Sequence, residues 1–97
     1  MQDRRQDPRI LLENTHYVSI VSSDRELPAV LVDISASGAR MELPPSEVLP
    51  PVGSEITVQG TALPLLGKRK ASVIWGMGMH FGVRFTERID VGSIGEL

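Results

Sequence analysis

Cysteine is absent from the 97 residues. That one absence excludes a disulfide framework, a thiolate metal site and a cysteine nucleophile. Histidine is almost as scarce, and His16 and His80 are too few for a histidine-rich metal cage. One Trp, one Tyr and two Phe make a poor platform for stacking the successive bases of a single strand. No apolar run nears the ~18–20 residues of a membrane span, and the charged residues 1–9 do not read as a secretory signal. A cytoplasmic protein without membrane insertion is the expectation. Ten Lys and Arg against twelve Asp and Glu leave a net charge of −2, which argues against the wide basic face that DNA or RNA binding needs.

What is present describes one small globular domain. The length fits a single domain of typical size, and a hydrophobic share of 41% is too high for a disordered chain. Residues 1–9 carry Arg4, Arg5 and Arg9 and nothing apolar after Met1, so they read as a flexible polar arm in which Pro8 forbids a continuous helix. Residues 10–97 form the domain proper. Its signal is alternation with period two. Tyr17 to Val21, Ala39 to Leu43, Ile56 to Val58, Ala71 to Trp75 and Phe81 to Phe85 each predict a short strand. Ala29 to Val32, following Pro28, predicts a sixth strand buried on both faces.

Turn chemistry separates these runs, at Ser23-Asp24, Ser37-Gly38, Pro51-Val52-Gly53, Gly67 and Gly76-Met77-Gly78. Lys68-Arg69-Lys70 reads as a solvated entrance to the fifth strand. Seven Pro residues break most windows long enough for a helix. Two short candidates remain, around Ser46 to Leu49 and in the stretch opening at Asp90, where Gly92 and Gly95 weaken a helix that Asp90 would cap. The expected fold is all-β: a small six-stranded antiparallel barrel with an N-terminal arm and a short C-terminal helical turn. Closure removes the open strand edges that invite aggregation.

Catalytic constellations are missing. Neither His lies in a nucleophile context, the carboxylates are scattered, and no Gly-rich loop leads from a strand into a helix. A binding protein is expected, not an enzyme, with no cofactor and no metal. Two clusters could carry the binding. Arg5-x-x-x-Arg9, preceded by Arg4, is by itself explained as a solvated tail that Asp3 and Asp7 partly neutralise. Asp33-Ile34-Ser35-Ala36-Ser37-Gly38 is by itself explained as a strand end and turn, with Gly38 supplying a positive φ.

Together the two clusters resemble a known family. The PilZ domain, a bacterial receptor for the second messenger cyclic di-GMP, is marked by RxxxR followed some twenty-odd residues later by [D/N]xSxxG. Arg5 to Arg9 and Asp33 to Gly38 match both in the right order. Gly38-Ala39-Arg40, Ala71-x-Val73-x-Trp75 and Phe81-Gly82-Val83-Arg84-Phe85 resemble the family's strands, and Ile89-Asp90-x-x-Ser93-Ile94 resembles the entry to its closing helix. The resemblance implies that Arg4, Arg5, Arg9, Asp33, Ser35 and Gly38 hold cyclic di-GMP, with Arg40 and Trp75 as secondary candidates. It also implies a downstream protein partner. An Arg at position 4, just before RxxxR, goes in the family with a mutually intercalated pair of ligands.

The chemistry suits such a ligand. Guanine shows O6 and N7 acceptors along one edge, which an Arg fork pairs bidentately, and N–H donors along the other, which call for a carboxylate such as Asp33. Asp33 and Ser35, two apart, would share a face if the strand continued through both. Two rivals stand beside this reading: a PilZ-like adaptor that binds no ligand, and a barrel for single-stranded nucleic acid.

Overall fold

The computed structural model of the chain describes residues 10–62 and 65–89. They form six strands: β1 (Ile10–Ser22), β2 (Arg25–Ile34), β3 (Gly38–Glu42), β4 (Glu55–Ala62), β5 (Leu65–Met77) and β6 (His80–Phe85). All neighbours are antiparallel, and the order β1-β2-β3-β6-β5-β4 closes on itself through the β1–β4 ladder. The six-stranded antiparallel barrel expected from the sequence is therefore the fold. The C-terminal helical turn and the N-terminal arm lie outside the described residues.

Alternation fills the barrel as the sequence predicts for most strands. Ala39 and Met41 of β3, Ile56 and Val58 of β4, Ala71 and Val73 of β5, and Phe81 and Val83 of β6 all point into one apolar core. Their outward neighbours are polar or small, so each strand buries one face and wets the other. Leu49 packs against one end of this core and Ile89 enters it at the other. Around Ser46 to Leu49 there is a turn and no helix, closed by a 3.0 Å bond from the Glu47 N–H to the Pro44 carbonyl.

Three local expectations are corrected. β2 is not buried on both faces: Val30 and Val32 are half-exposed between the buried Ala29 and Leu31. Pro28 lies inside β2 opposite Ser19, where β3 no longer pairs with the strand. Its missing N–H is tolerated at such a one-sided position. β5 starts well before Ala71, and Lys68, Arg69 and Lys70 are exposed members of it, paired with Gln59, Val58 and Thr57. Gly67 is likewise no turn. It lies in β5 opposite Gly60, with a φ of 92° that any side chain would resist.

Among the described side chains, the barrel's two ends differ in charge. The end where β2 passes into β3 and β6 finishes carries Lys68, Arg69, Lys70, Arg84 and Arg88, against Asp33 and Glu87. The opposite end, with the β1–β2 hairpin and the loop after β3, carries Asp24, Glu26, Glu42, Glu47 and Glu55, against Arg25.

Candidate functional site

The Asp33 to Gly38 segment turns β2 into β3 at the basic end. β2 stops at Ile34, so Ser35 belongs to the turn and is no longer part of the strand's alternation with Asp33. The Ser35 N–H donates to the Gly38 carbonyl at 2.8 Å, and the Gly38 N–H donates to Ser35 Oγ at 3.2 Å. Ser35 is buried, and its hydroxyl lies 3.3 Å from the Gly38 carbonyl oxygen. That hydroxyl shapes the turn. Two further bonds tie the turn to the barrel, from the Phe85 N–H to the Ser37 carbonyl at 2.7 Å and from the Ile89 N–H to the Ala36 carbonyl at 2.8 Å.

Gly38 is required for a reason other than the one expected. It does not adopt a positive φ. A Cβ there would run into the carbonyl oxygen of Val83 on β6. The close approach that glycine permits is between two strands of the barrel.

Beside this turn, a single row of residues crosses four strands on the outside of the barrel. Asp33 of β2 stands opposite Arg40 of β3, Arg40 opposite Gly82 of β6, and Gly82 opposite Trp75 of β5. Two irregularities create it. Between Leu31 and Asp33 the β2–β3 register slips by one residue, and between Val73 and Trp75 the β5–β6 register does the same. Leu31 and Val73 are core residues, so an unbroken pleat would send Asp33 and Trp75 inward after them. One inserted residue in each strand, Val32 and Ile74, reverses the next side chain. Trp75, for which core packing is the default, is therefore turned to the outer face.

Along the row, Arg40 Nε lies 3.2 Å from Asp33 Oδ2. Yet the buried Nε has no aligned hydrogen bond, so the contact is an attraction of charges without a directed N–H···O bond. The Arg40 side chain is 42% exposed and that of Asp33 8%. Arg40, Trp75, Met77 and His80 surround an open cavity of about 430 Å³. His80 Nε2 in turn lies 3.1 Å from Glu42 Oε2.

Of the residues named from sequence, Asp33 and Arg40 are in contact, Trp75 lies in the same row, and Ser35 and Gly38 form the adjoining turn. Arg4, Arg5 and Arg9 are outside the described residues. Ile10, next after Arg9, pairs with Ile34. Gly82, Met77 and His80 were not among the site residues expected from the sequence. An isolated glycine inside a strand pattern is the signal that marks Gly82.

The family model for the PilZ domain matches residues 3–97. The chain belongs to the PilZ domain family. Among solved structures, this PilZ domain is similar to the inhibitor of motility of Bacillus subtilis (MotI/DgrA), with a TM-score of 0.68 at 15% sequence identity. The likeness covers 97% of this chain and 47% of that one, so the PilZ domain described here spans about half the length of that protein. No curated protein matches the chain. Among the described residues no helix is long and apolar enough to cross a membrane, and no cluster of His, Asp and Glu could hold a metal ion.

Proposed function

We propose that this PilZ domain is a cytoplasmic receptor for cyclic di-GMP that leaves its ligand chemically unchanged and passes the signal to a partner protein. The observation that carries the proposal is the Asp33–Arg40–Gly82–Trp75 row, turned outward by two bulges beside the point where the RxxxR arm joins the barrel. The Ile10–Ile34 pairing brings the start of β1 to the end of β2, and Arg9 is one peptide unit, ~3.8 Å, from Ile10. Arg5 and Arg9 are then within chain reach of a ligand lying on the row.

Each group has its chemistry. The Asp33 carboxylate accepts the N–H donors of a guanine in exchange for its present partners. Arg40, held to Asp33 only by a misaligned contact, is free to swing its fork onto a phosphate or the O6/N7 edge. Arg5 and Arg9 neutralise phosphate. Ser35 and Gly38 act mainly by fixing the turn, and donation to the ligand would require the Ser35 hydroxyl to leave the Gly38 carbonyl. Arg4 adds the guanidinium that an intercalated pair of dianionic ligands needs.

Calorimetric titration with cyclic di-GMP, GTP and a short oligonucleotide tests the proposal. Heat is expected only with cyclic di-GMP, with two ligands bound per chain in the wild type and one in Arg4→Leu. A wild-type ratio of one ligand would end the paired-ligand part alone. Absence of heat in all three titrations would favour the adaptor reading instead. A specific feature stands behind that rival: an apolar cleft of about 190 Å³ where Tyr17, Val30, Pro45 and Met79 meet, with Tyr17 74% exposed.

A further inference from the structure

The acidic end of the barrel carries an apolar cleft, apart from the row that begins at Asp33. Tyr17, Val30 and Glu42 stand opposite one another across β1, β2 and β3, and alternation puts all three on the outer face. Pro44 and Pro45 follow directly where the chain leaves β3. The Leu43 N–H donates to the Met79 carbonyl at 2.9 Å, which ties the β5–β6 turn to the same place. Between these parts lies the cleft of about 190 Å³, lined by Tyr17, Val30, Pro44, Pro45, Met79 and Glu42. At ~30 Å³ per water it takes about six, roughly the heavy atoms of one Leu or Phe side chain. Ladder pairing on both sides fixes Val30, and the proline rings fix their own φ. The cleft is built before anything enters it, so an occupant orders little by binding.

Carboxylates surround the cleft. Glu42 lines it, and Glu47 stands two residues after Pro45. Glu26, two residues before Pro28 on the outer face of β2, accepts a hydrogen bond from the Ser19 hydroxyl. Asp24 is exposed in the β1–β2 turn. Arg25 lies among them but is engaged with Glu47 at 3.2 Å. His80 Nε2 meets Glu42 from the far side. An apolar hollow with a negative rim selects an apolar side chain that has Lys or Arg beside it.

A second copy of the chain does not fit that description. A two-fold contact would set the same carboxylates against one another. A head-to-tail contact would bring the basic end, where none of the exposed large hydrophobics among the described residues stands. An anionic lipid surface would be repelled by the rim.

The geometry points to this cleft as the docking site for a partner protein that inserts one large apolar side chain flanked by Lys or Arg. The inference rests on the reading above for there being a partner, and it supplies the place and the chemistry of that contact.

Selection of a displayed library of random short peptides on the full chain tests it, once without cyclic di-GMP and once with the messenger in excess. Enriched peptides are expected to carry Leu, Met or an aromatic residue next to Lys or Arg. One of them, made synthetically, should bind Tyr17→Ser and Met79→Ser about tenfold more weakly than the wild type, as loss of a central apolar contact does. Both side chains are exposed, so the Tm of each variant should match that of the wild type. Glu42→Gln should weaken the peptide about threefold and flatten its dependence on salt.

Enrichment of acidic or wholly polar peptides, or none in either condition, would overturn the inference. So would equal affinity for the wild type and the Tyr17 and Met79 variants. A wild type that dimerises in sedimentation and becomes monomeric in Tyr17→Ser would give the cleft to a second copy, against the inference. Should the wild type take up no cyclic di-GMP, the receptor reading would end. Cation-flanked apolar peptides held by Tyr17 and Met79 would then still support the docking site, on an adaptor.

Discussion

Two kinds of ladder make up this barrel. β4 and β5 pair without a break from Glu55–Ser72 to Ala62–Leu65, and β3 and β6 from Gly38–Arg84 to Glu42–His80. The β1–β2 ladder shifts register between Leu11 and His16, and the β2–β3 and β5–β6 ladders each slip by one residue, in the stretch that precedes Asp33 in one and Trp75 in the other. The regular ladders bury apolar side chains on every second position and do little else. In the β2–β3 and β5–β6 ladders, a residue that the pleat would send inward faces out. For Asp33 the difference is large, because a carboxylate turned into an apolar core would have to be neutralised or paired at heavy cost. Irregularity in this fold is how polar chemistry reaches the surface from strands whose remaining residues build the core.

The contrast can be broken at three points. The largest effect belongs to the regular part. Ile20 of β1 is fully buried, and Ile20→Ala should cost ~2–5 kcal/mol in urea unfolding, while the fraction still folded binds cyclic di-GMP as before. A loss of affinity in that folded fraction would show that the two parts are not separable. Next comes Asp33→Asn, which keeps size and replaces one acceptor oxygen by a donor. Its loss should appear in binding, at ~1.5–3 kcal/mol, or about tenfold or more in affinity. Little should change in Tm, since Asn keeps the size of the side chain and one of its acceptor oxygens. If Asp33→Asn unfolded the barrel and spared affinity, the carboxylate would be a structural group.

The smallest of the three sharpens the role of Gly38. Gly38→Ala should destabilise by ~1–3 kcal/mol through overpacking against the Val83 carbonyl. Because no positive φ is involved, Gly38→Asn, a residue that tolerates the left-handed region, should be no better than Gly38→Ala. Thermal unfolding of both variants checks this, and rescue by Asn would contradict the steric account.

Much of the barrel was legible because period two is a local property. Ala39-Arg40-Met41-Glu42-Leu43 announces both its strand and its faces, and several such strands in so short a chain favour the closure that the β1–β4 ladder makes. What escaped was whatever depends on the neighbouring strand. Nothing within Ala71 to Trp75 distinguishes a straight strand from one that slips at Ile74, so alternation sends Trp75 to the wrong face. Lys68-Arg69-Lys70 looked like the approach to a strand because three exposed cations carry no alternation. Their membership in β5 is set by pairing with β4. The Asp33 to Gly38 motif was visible, but the reason for its glycine lies in Val83, forty-five residues on. Gly82 was hidden in the same way, since a Cβ there would run into the Trp75 ring.

Among the described residues, the uneven distribution of charge over the two ends makes the barrel an electric dipole. Nine residue steps along β2, at ~3.3 Å and tilted in the barrel, put the two poles roughly 20–30 Å apart. Physiological salt screens over ~8 Å. A small dianion near the basic pole therefore scarcely senses the acidic one, and a net charge of −2 says little about its approach. Farther out and at low salt, an anion's field exerts a torque on the tumbling protein that turns the basic pole toward it. Orientation before contact of this kind raises association rates and fades as salt is added.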